Sequence, residues 1–324
     1  MSENVADYDF ELPAELIASR PLAARDASRM LVLRRDSGEI EHRSFRDLPG
    51  YLKPGDLAVL NNSRVIKARL LSPDRRIELL LIRALGPRTW NCLVRPGRKM
   101  RPGFEFAIAD SAARVKGILE DGSRIVEFAV EPDLDRFGRM PIPPYLRRDA
   151  DEDDDVRYQT VFAETAGSVA APTAGLHFTP ELLARIPHTK VTLHVGIGTF
   201  LPVKVGRVEA HRMHSERYSI GEDAACAINA ASRTLAVGTT VARVLESQPP
   251  GPIAPRSAST SIFIHPPFAF QRLGALLTNF HLPKSTLLML VCAFASREEV
   301  LAAYKEAVTE RYRFFSYGDC MLVV

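Results

Sequence analysis

The stretch Leu235-Ala-Val-Gly238-Thr239-Thr240-Val-Ala-Arg-Val-Leu-Glu246 decides the fold class. Leu235 to Val237 reads as a short strand. Gly238-Thr239-Thr240 turns the chain, and a helix follows through Glu246. A strand that feeds directly into a helix is the unit of α/β folds. Free backbone N–H groups at such a helix start, with two hydroxyls beside them, would hold a carboxylate or phosphate. Thr is also a common cap that satisfies only its own helix.

The same alternation extends over Val156 to Val324. Thr179 reads as an N-cap, with Pro180 at the first helical position and Glu181 in the first turn. Val191 to Val195 is rich in β-branched residues and reads as a buried strand. Ala224 to Leu235 is Ala-rich and reads as helix. Ser296 and Glu299 form a capping box. Behind it Val300, Tyr304 and Val308 fall on one helical face.

The region from Leu57 to about Ala150 has another texture. Short β-like runs cover Leu57–Leu60, Val65–Leu71, Ile77–Arg83, Thr89–Val94, Phe104–Ile108, Arg114–Leu119 and Arg124–Val130. Pro and Gly turn signals separate them. This spacing, with no helical period between, predicts a small barrel or sandwich. Pro141-Ile-Pro-Pro144 and the acidic run Asp149 to Asp155 read as a linker. Before this region, Ala14 to Ser19 reads as a helix bounded by Pro13 and Pro21. Met30 to Arg34 reads as a strand, and Asp36-Ser37-Gly38 as a turn.

Composition limits the function classes. The chain has 324 residues, 46% hydrophobic and 25% charged. Those are ordinary values for a globular protein, and they argue against disorder. The length predicts about two domains at roughly 150 residues each. The longest apolar run, Leu287 to Ala295, falls short of the ~20 residues that a membrane helix needs. The acidic start, Met1 to Glu11, lacks a signal-peptide pattern, so the cytosol is the expected compartment. Cys92, Cys226, Cys292 and Cys320 are scattered and read as reduced, mostly buried thiols.

The net charge of +3 hides an uneven distribution. Eleven cations lie between Asn61 and Pro102, opposed only by Asp74 and Glu78, so this stretch carries +9 and the rest −6. A β module this basic can track a phosphate backbone. A charge run can also be no more than a solvated face.

His177, His194, His211, His214 and His281 fall in short segments rich in Gly, Pro and Thr. Such flanks put a side chain on a shaped loop, where catalytic groups tend to sit. A single His there is commonly structural, and five together point to a site. His211-x-x-His214-x-Glu216 carries metal-type donors. It is not HExxH, and no Cys pair completes it, so no metal is expected. Gly196-x-Gly198 lacks the third Gly and the downstream acid of a dinucleotide fingerprint.

These segments carry a resemblance. Pro172-Thr-Ala-Gly-Leu-His-Phe178, Thr192-Leu-His-Val-Gly196, His211-x-Met-His-Ser-Glu216, Val237-Gly-Thr-Thr240, Thr278-Asn-Phe-His-Leu-Pro283 and Tyr312-Arg-Phe-Phe-Ser-Tyr-Gly-Asp319 resemble the S-adenosylmethionine:tRNA ribosyltransferase-isomerases of queuosine biosynthesis. Asp7 to Pro13 and Arg64 to Leu70 match as well, so the resemblance spans the chain. It implies an α/β, barrel-like main domain (1–57 plus 151–324) with a small all-β barrel inserted at 58–150. It implies transfer and isomerisation of the ribosyl unit of S-adenosylmethionine, the co-substrate, onto the aminomethyl group of a 7-deazaguanine (preQ1) at the tRNA wobble position. Adenine and methionine leave.

The acid/base work is expected among His177, His194, His214, Glu216 and His281. Gly196, Gly198, Thr199, Gly238, Thr239, Thr240 and Asn279 are expected to bind S-adenosylmethionine. Arg64, Lys67, Arg69, Arg95, Arg98, Lys99 and Arg101 are expected to meet tRNA. A monomer without membrane attachment is expected. Two departures from the family pattern stand out: Gly274 where an Asp is usual, and His265-Pro266-Pro267 where an aromatic-Pro-Gly is usual. Two other readings compete. One is a metal-dependent hydrolase built on His211, His214 and Glu216. The other is a non-catalytic tRNA-binding homologue.

Overall fold

The computed structural model describes residues 4–196, 198, 203 and 205–324. In chain order the strands are β1 (Arg29–Leu33), β2 (Ile40–Ser44), β3 (Asp56–Asn61), β4 (Ser63–Val65), β5 (Arg69–Leu71), β6 (Glu78–Gly86), β7 (Thr89–Arg95), β8 (Glu105–Ile108), β9 (Ser111–Ile118), β10 (Arg124–Phe128), β11 (Thr165–Ser168), β12 (His188–Leu193), β13 (Glu216–Ile220), β14 (Arg233–Val237), β15 (Arg256–Thr260), β16 (Leu273–Asn279) and β17 (Cys320–Val323). The helices are α1 (Leu134–Phe137), α2 (Glu152–Arg157), α3 (Pro180–Leu183), α4 (Glu222–Ala230), α5 (Thr239–Glu246), α6 (Thr286–Phe294) and α7 (Arg297–Thr309).

The molecule is mixed α/β. A nine-stranded sheet runs β15-β13-β12-β3-β14-β16-β17-β1-β2. At its centre β12, β3, β14 and β16 are parallel, and β17 is antiparallel to β16. Parallel strands are buried on both faces and read as continuous apolar runs. The central strands obey this rule. Leu31, Val59, Ala236, Leu276 and Met321 face a core shared with α4, α5, α6 and α7. Their neighbours Val32, Leu60, Leu235, Leu277 and Leu322 face a second core with Phe45, Phe162, Phe178 and Leu182. Each such fully buried Val, Leu, Met or Phe side chain contributes about 1.5–3 kcal/mol relative to exposure.

A separate six-stranded antiparallel sheet, β5-β6-β7-β10-β9-β8, holds its own core of Leu70, Leu79, Leu81, Val115 and Val126. Its edges approach where Ala109 N–H donates to Leu71 O (3.2 Å). No ladder joins β5 to β8 among the described residues. The sheet is therefore curled, with an open seam.

Several expectations need correction. Residues 58–61, expected to open the β insert, belong to β3 of the large sheet, because Ala58, Val59 and Leu60 are fully buried between its two cores. The run Val65–Leu71 divides into β4, which pairs with β11, and β5. The Ala-rich helix stops at Ala230 rather than Leu235, and Ser232 N–H is held by Gly55 O (2.9 Å), so Arg233 can start β14. Ala14 to Ser19 is only a 3₁₀ turn, Ala14–Leu16.

The expected linker is packed structure. Met140, Ile142 and Leu146 are buried, and Asp149 to Asp155 contributes α2, started by an Asp151–Asp154 capping box. Asp154 is fully buried and takes a two-pronged bond from Arg148 (2.5 and 2.7 Å) and one from Tyr317 Oη (2.7 Å). Burial alone would push its carboxyl up, but these hydrogen bonds and the Arg148 charge bring it down to about 2. A depressed carboxylate stabilises the fold above its unfolded value near 3.8 and loses that contribution as pH falls toward 2. Urea midpoints of the wild type should therefore drop between about pH 4 and 2 by more than those of Asp154→Asn. Parallel pH profiles would contradict this role for α2.

Candidate active site

The parallel strands β14 and β16 end side by side, and a cleft opens at their carboxyl ends. Ligand sites of open α/β sheets form there. Gly238 follows β14 with φ +96°, a left-handed backbone that glycine adopts without strain. Its N–H donates to Leu277 O (2.8 Å), which ties the turn to β16. As N-cap of α5 it has no side chain to offer, so the first amides of the helix stay open toward the cleft. Thr239 and Thr240 are buried there, and Thr240 Oγ1 has no partner among the described residues.

Asn279, the last residue of β16, lines the same cleft. Its Nδ2 donates to Phe315 O (2.8 Å), which turns Oδ1 toward His177 Nε2 (3.1 Å). That orientation assigns the Nε2 proton to His177, so His177 Nδ1 accepts from Ser28 Oγ (2.9 Å). Burial pushes the His177 ring down to about 4, so it is neutral at pH 7. Both its nitrogens are already used. It holds Asn279 in place from behind the cleft.

His281 also borders the cleft, two residues beyond Asn279. Its Nε2 bonds Thr278 Oγ1 (2.7 Å), and its backbone N–H donates to Tyr304 Oη (3.0 Å). Burial lowers this ring to about 3, so it too is neutral at pH 7. Opposite lie Tyr145 and Ser316, joined through their hydroxyls at 2.5 Å. Phe315 holds φ +72°, strained backbone for an aromatic residue, beside the carbonyl that fixes Asn279.

Glu216 is buried elsewhere in the wall. Its Oε1 accepts from Gly196 N–H (2.9 Å), and its Oε2 pairs with Arg243 of α5. Arg243, His211, His214 and Gly198 line a small cavity that shares Leu287 with the cleft. His211, His214 and Glu216 do not converge as metal ligands, because Arg243 and the Gly196 amide take the carboxylate. Among the described residues no group of three His, Cys, Asp or Glu is placed to hold a metal ion. His194 sits apart, in a groove with Thr165, Thr192 and Arg217. Thr199 lies outside the described residues. The cleft thus gathers Asn279, His281, Gly238, Thr239 and Thr240, with His177 behind Asn279 and Gly198, His214 and Glu216 in the adjoining cavity.

Gly274 lies at the start of β16, five residues before the cleft. The Arg233 stem fills the space a Cβ would need there, and the Arg233 guanidinium pairs with Asp56 (2.5 and 3.1 Å). The departure from the family pattern therefore falls at the opposite end of the strand from the cleft. His265 packs on Phe263, away from the cleft lining.

The basic residues separate into two groups. Lys67 pairs with Asp155 (2.6 Å) and Arg69 with Glu78 (3.2 Å). Arg64 and Arg95 are exposed, Arg95 with only a long contact to Glu78 (3.9 Å). Arg98, Lys99 and Arg101 are exposed on one loop after β7. Arg124 fastens that loop by donating to Gly97 O (2.9 Å) and Met100 O (2.7 Å). The adjoining β9–β10 turn carries Asp121. Burial pushes its carboxyl up, but Ser123 hydrogen bonds and the nearby His214 hold it below its usual value.

Sequence reasoning missed Ser28, Tyr145, Arg243 and Phe315. Phe315 and Ser316 lay inside a quoted motif. The others gave no local signal, because their partners are distant in the chain.

An open α/β sheet with a ligand cleft at its strand ends, and a separate β sheet with an exposed basic loop, suit an enzyme that handles a small molecule and a polyanion. Residues 5–323 match the family described as "Queuosine biosynthesis protein". The chain is 48% identical over 342 residues to the S-adenosylmethionine:tRNA ribosyltransferase-isomerase of Heliobacterium modesticaldum, and 49% over 336 residues to that of Thermotoga maritima, covering 99% of each chain. A crystal structure of S-adenosylmethionine tRNA ribosyltransferase from Thermotoga maritima is similar with a TM-score of 0.56 and 40% identity, covering 98% of this chain and 100% of that one. The chain belongs to the S-adenosylmethionine:tRNA ribosyltransferase-isomerases, transferases of queuosine biosynthesis.

Proposed function

We propose that the enzyme moves the ribosyl unit of S-adenosylmethionine onto the 7-aminomethyl group of preQ1 at the tRNA wobble position and isomerises it, giving epoxyqueuosine-tRNA, adenine and methionine. The observation that carries this reading is the shared cleft: an uncapped α5 start, a fixed Asn279 and a neutral His281 face one another. The sulfonium makes the C5′ hydrogen acidic, and its removal calls for a base at the cleft. His281 takes that part. The attacking amine must be neutral, which a desolvated cleft favours. The α5 start, with Thr239 and Thr240, accepts the methionine carboxylate. Asn279, held by His177, positions the substrate. No step as written needs a redox group or a metal.

Residues 58–150 act as the inserted β-barrel unit that meets tRNA, apart from 58–61, which serve the large sheet. Residues 1–57 and 151–324 form the catalytic unit. The enzyme works as a cytoplasmic monomer. Incubation with S-adenosylmethionine and preQ1-modified tRNA should release adenine and methionine in equal amounts. Full-length, folded protein that binds tRNA but releases neither would leave the non-catalytic reading standing. Retained activity after chelator treatment would remove the hydrolase reading.

Arg98, Lys99 and Arg101 contact phosphates in this scheme. Replacing all three with Ala should reduce the slope of log affinity against log salt by about 2–3, since each phosphate contact contributes roughly 0.7–0.9. An unchanged slope would move the contact elsewhere.

A further inference from the structure

Two buried polar groups on one face of α5 have no protein partner among the described residues: Thr240 Oγ1 and Arg243 Nη2. Residues three apart on a helix share a face. Thr240 is 6% exposed and Arg243 2%. Thr240 borders the cleft, Arg243 borders the adjoining cavity, and Leu287 borders both. A buried donor without a partner is costly, and native proteins keep few of them. Here two lie one helical turn apart, on residues whose cavities share Leu287.

Arg243 is also held rigid. Its Nη1 is paired with Glu216, and its Nε donates to Ile262 O (3.3 Å). Glu216 is in turn fixed by the Gly196 amide. Only the Nη2 edge of the guanidinium is left over. The walls beside it, Met213 and Leu287, are apolar.

We propose that Arg243 Nη2 and Thr240 Oγ1 together bind the carboxylate of the methionyl arm of S-adenosylmethionine, with Met213 and Leu287 covering its methylenes and S-methyl group. This rests on the ribosyl-donor reading above and extends its carboxylate hole from the first turn of α5 to the second. A carboxylate can accept from both donors at once. An ammonium group could accept from neither. An RNA phosphate is the other anion at hand, but it arrives with bulky sugars that a small apolar-walled cavity does not suit.

The test is equilibrium binding of S-adenosylmethionine, its decarboxylated analogue and tRNA to the wild type, Arg243→Lys and Thr240→Val. Lys keeps a positive partner for Glu216 but lacks the second guanidinium nitrogen. Val matches the Thr shape without the hydroxyl and leaves the Glu216–Arg243 pair intact. The wild type should prefer S-adenosylmethionine over the decarboxylated analogue by about tenfold or more. Arg243→Lys should lose most of that preference, and Thr240→Val part of it, with tRNA affinity unchanged in both. The proposal is overturned if Thr240→Val and a folded Arg243→Lys keep the full preference or weaken both ligands equally. It is also overturned if tRNA affinity falls while the preference persists, which would assign the donors to a phosphate. A wild type that binds neither sulfonium overturns the ribosyl-donor reading as well.

Discussion

A His281→Ala enzyme should turn over at least about 100-fold more slowly than the wild type while keeping its fold. The ring borders the cleft, where it is placed to take a proton from a bound substrate. Its removal leaves Thr278 Oγ1 another partner in the Asn279 carbonyl (3.3 Å). The Tyr304 bond goes to the backbone and survives substitution. His281→Gln can keep a hydrogen bond to Thr278 without proton transfer, and should be nearly as slow. Burial lowers the ring to about 3, so His281 itself should cause no fall in kcat/KM between pH 8 and 5. Turnover within about threefold of wild type in both variants would remove His281 as the base.

Glu216→Ala should lower unfolding stability by about 3–5 kcal/mol, because it strands the Arg243 charge in a buried site. Glu216 and Arg243 are 5% and 2% exposed, and Glu216 also holds the Gly196 amide. Chemical denaturation of the variant measures the loss. A cost below about 1 kcal/mol would mean that the pair is not structural, and would return Glu216 to the list of candidate acids and bases. Activity and stability should fall together in this variant, whereas His281→Ala separates them.

The α/β alternation was legible because its signals are local. Gly238 after three apolar residues, Thr179 before Pro180, and Ser296 before Glu299 each declare an element within a few positions. Some of the segments that line the cleft, Pro172 to Ala174, Gly238 to Thr240 and Thr278 to Leu282, stood out by their Gly, Pro, His and Asn residues. What the individual residues do was not. His177 and His281 look alike in sequence, yet one has both nitrogens bonded, to Ser28 and Asn279, and the other borders the cleft with, among the described residues, a partner on one nitrogen. The partners lie 149 and 102 positions away from His177, beyond any local pattern. The acidic run at 149–155 misled for the same reason. Its composition matches a solvated linker, and only Arg148 and Tyr317, the latter 163 positions from Asp154, make it a packed helix start.

By itself the sequence determined much of the strand–helix alternation after residue 156 and the basic character of residues 61–102. Periodicity, capping and charge are properties of neighbours in the chain. The tertiary structure alone decided that β3 belongs to the large sheet, that Glu216 is spent on Arg243, and that Lys67 and Arg69 are neutralised while Arg98, Lys99 and Arg101 remain exposed. Whether a charge is free or paired depends on what packing brings within a few ångströms of it, and that distance is set by the fold.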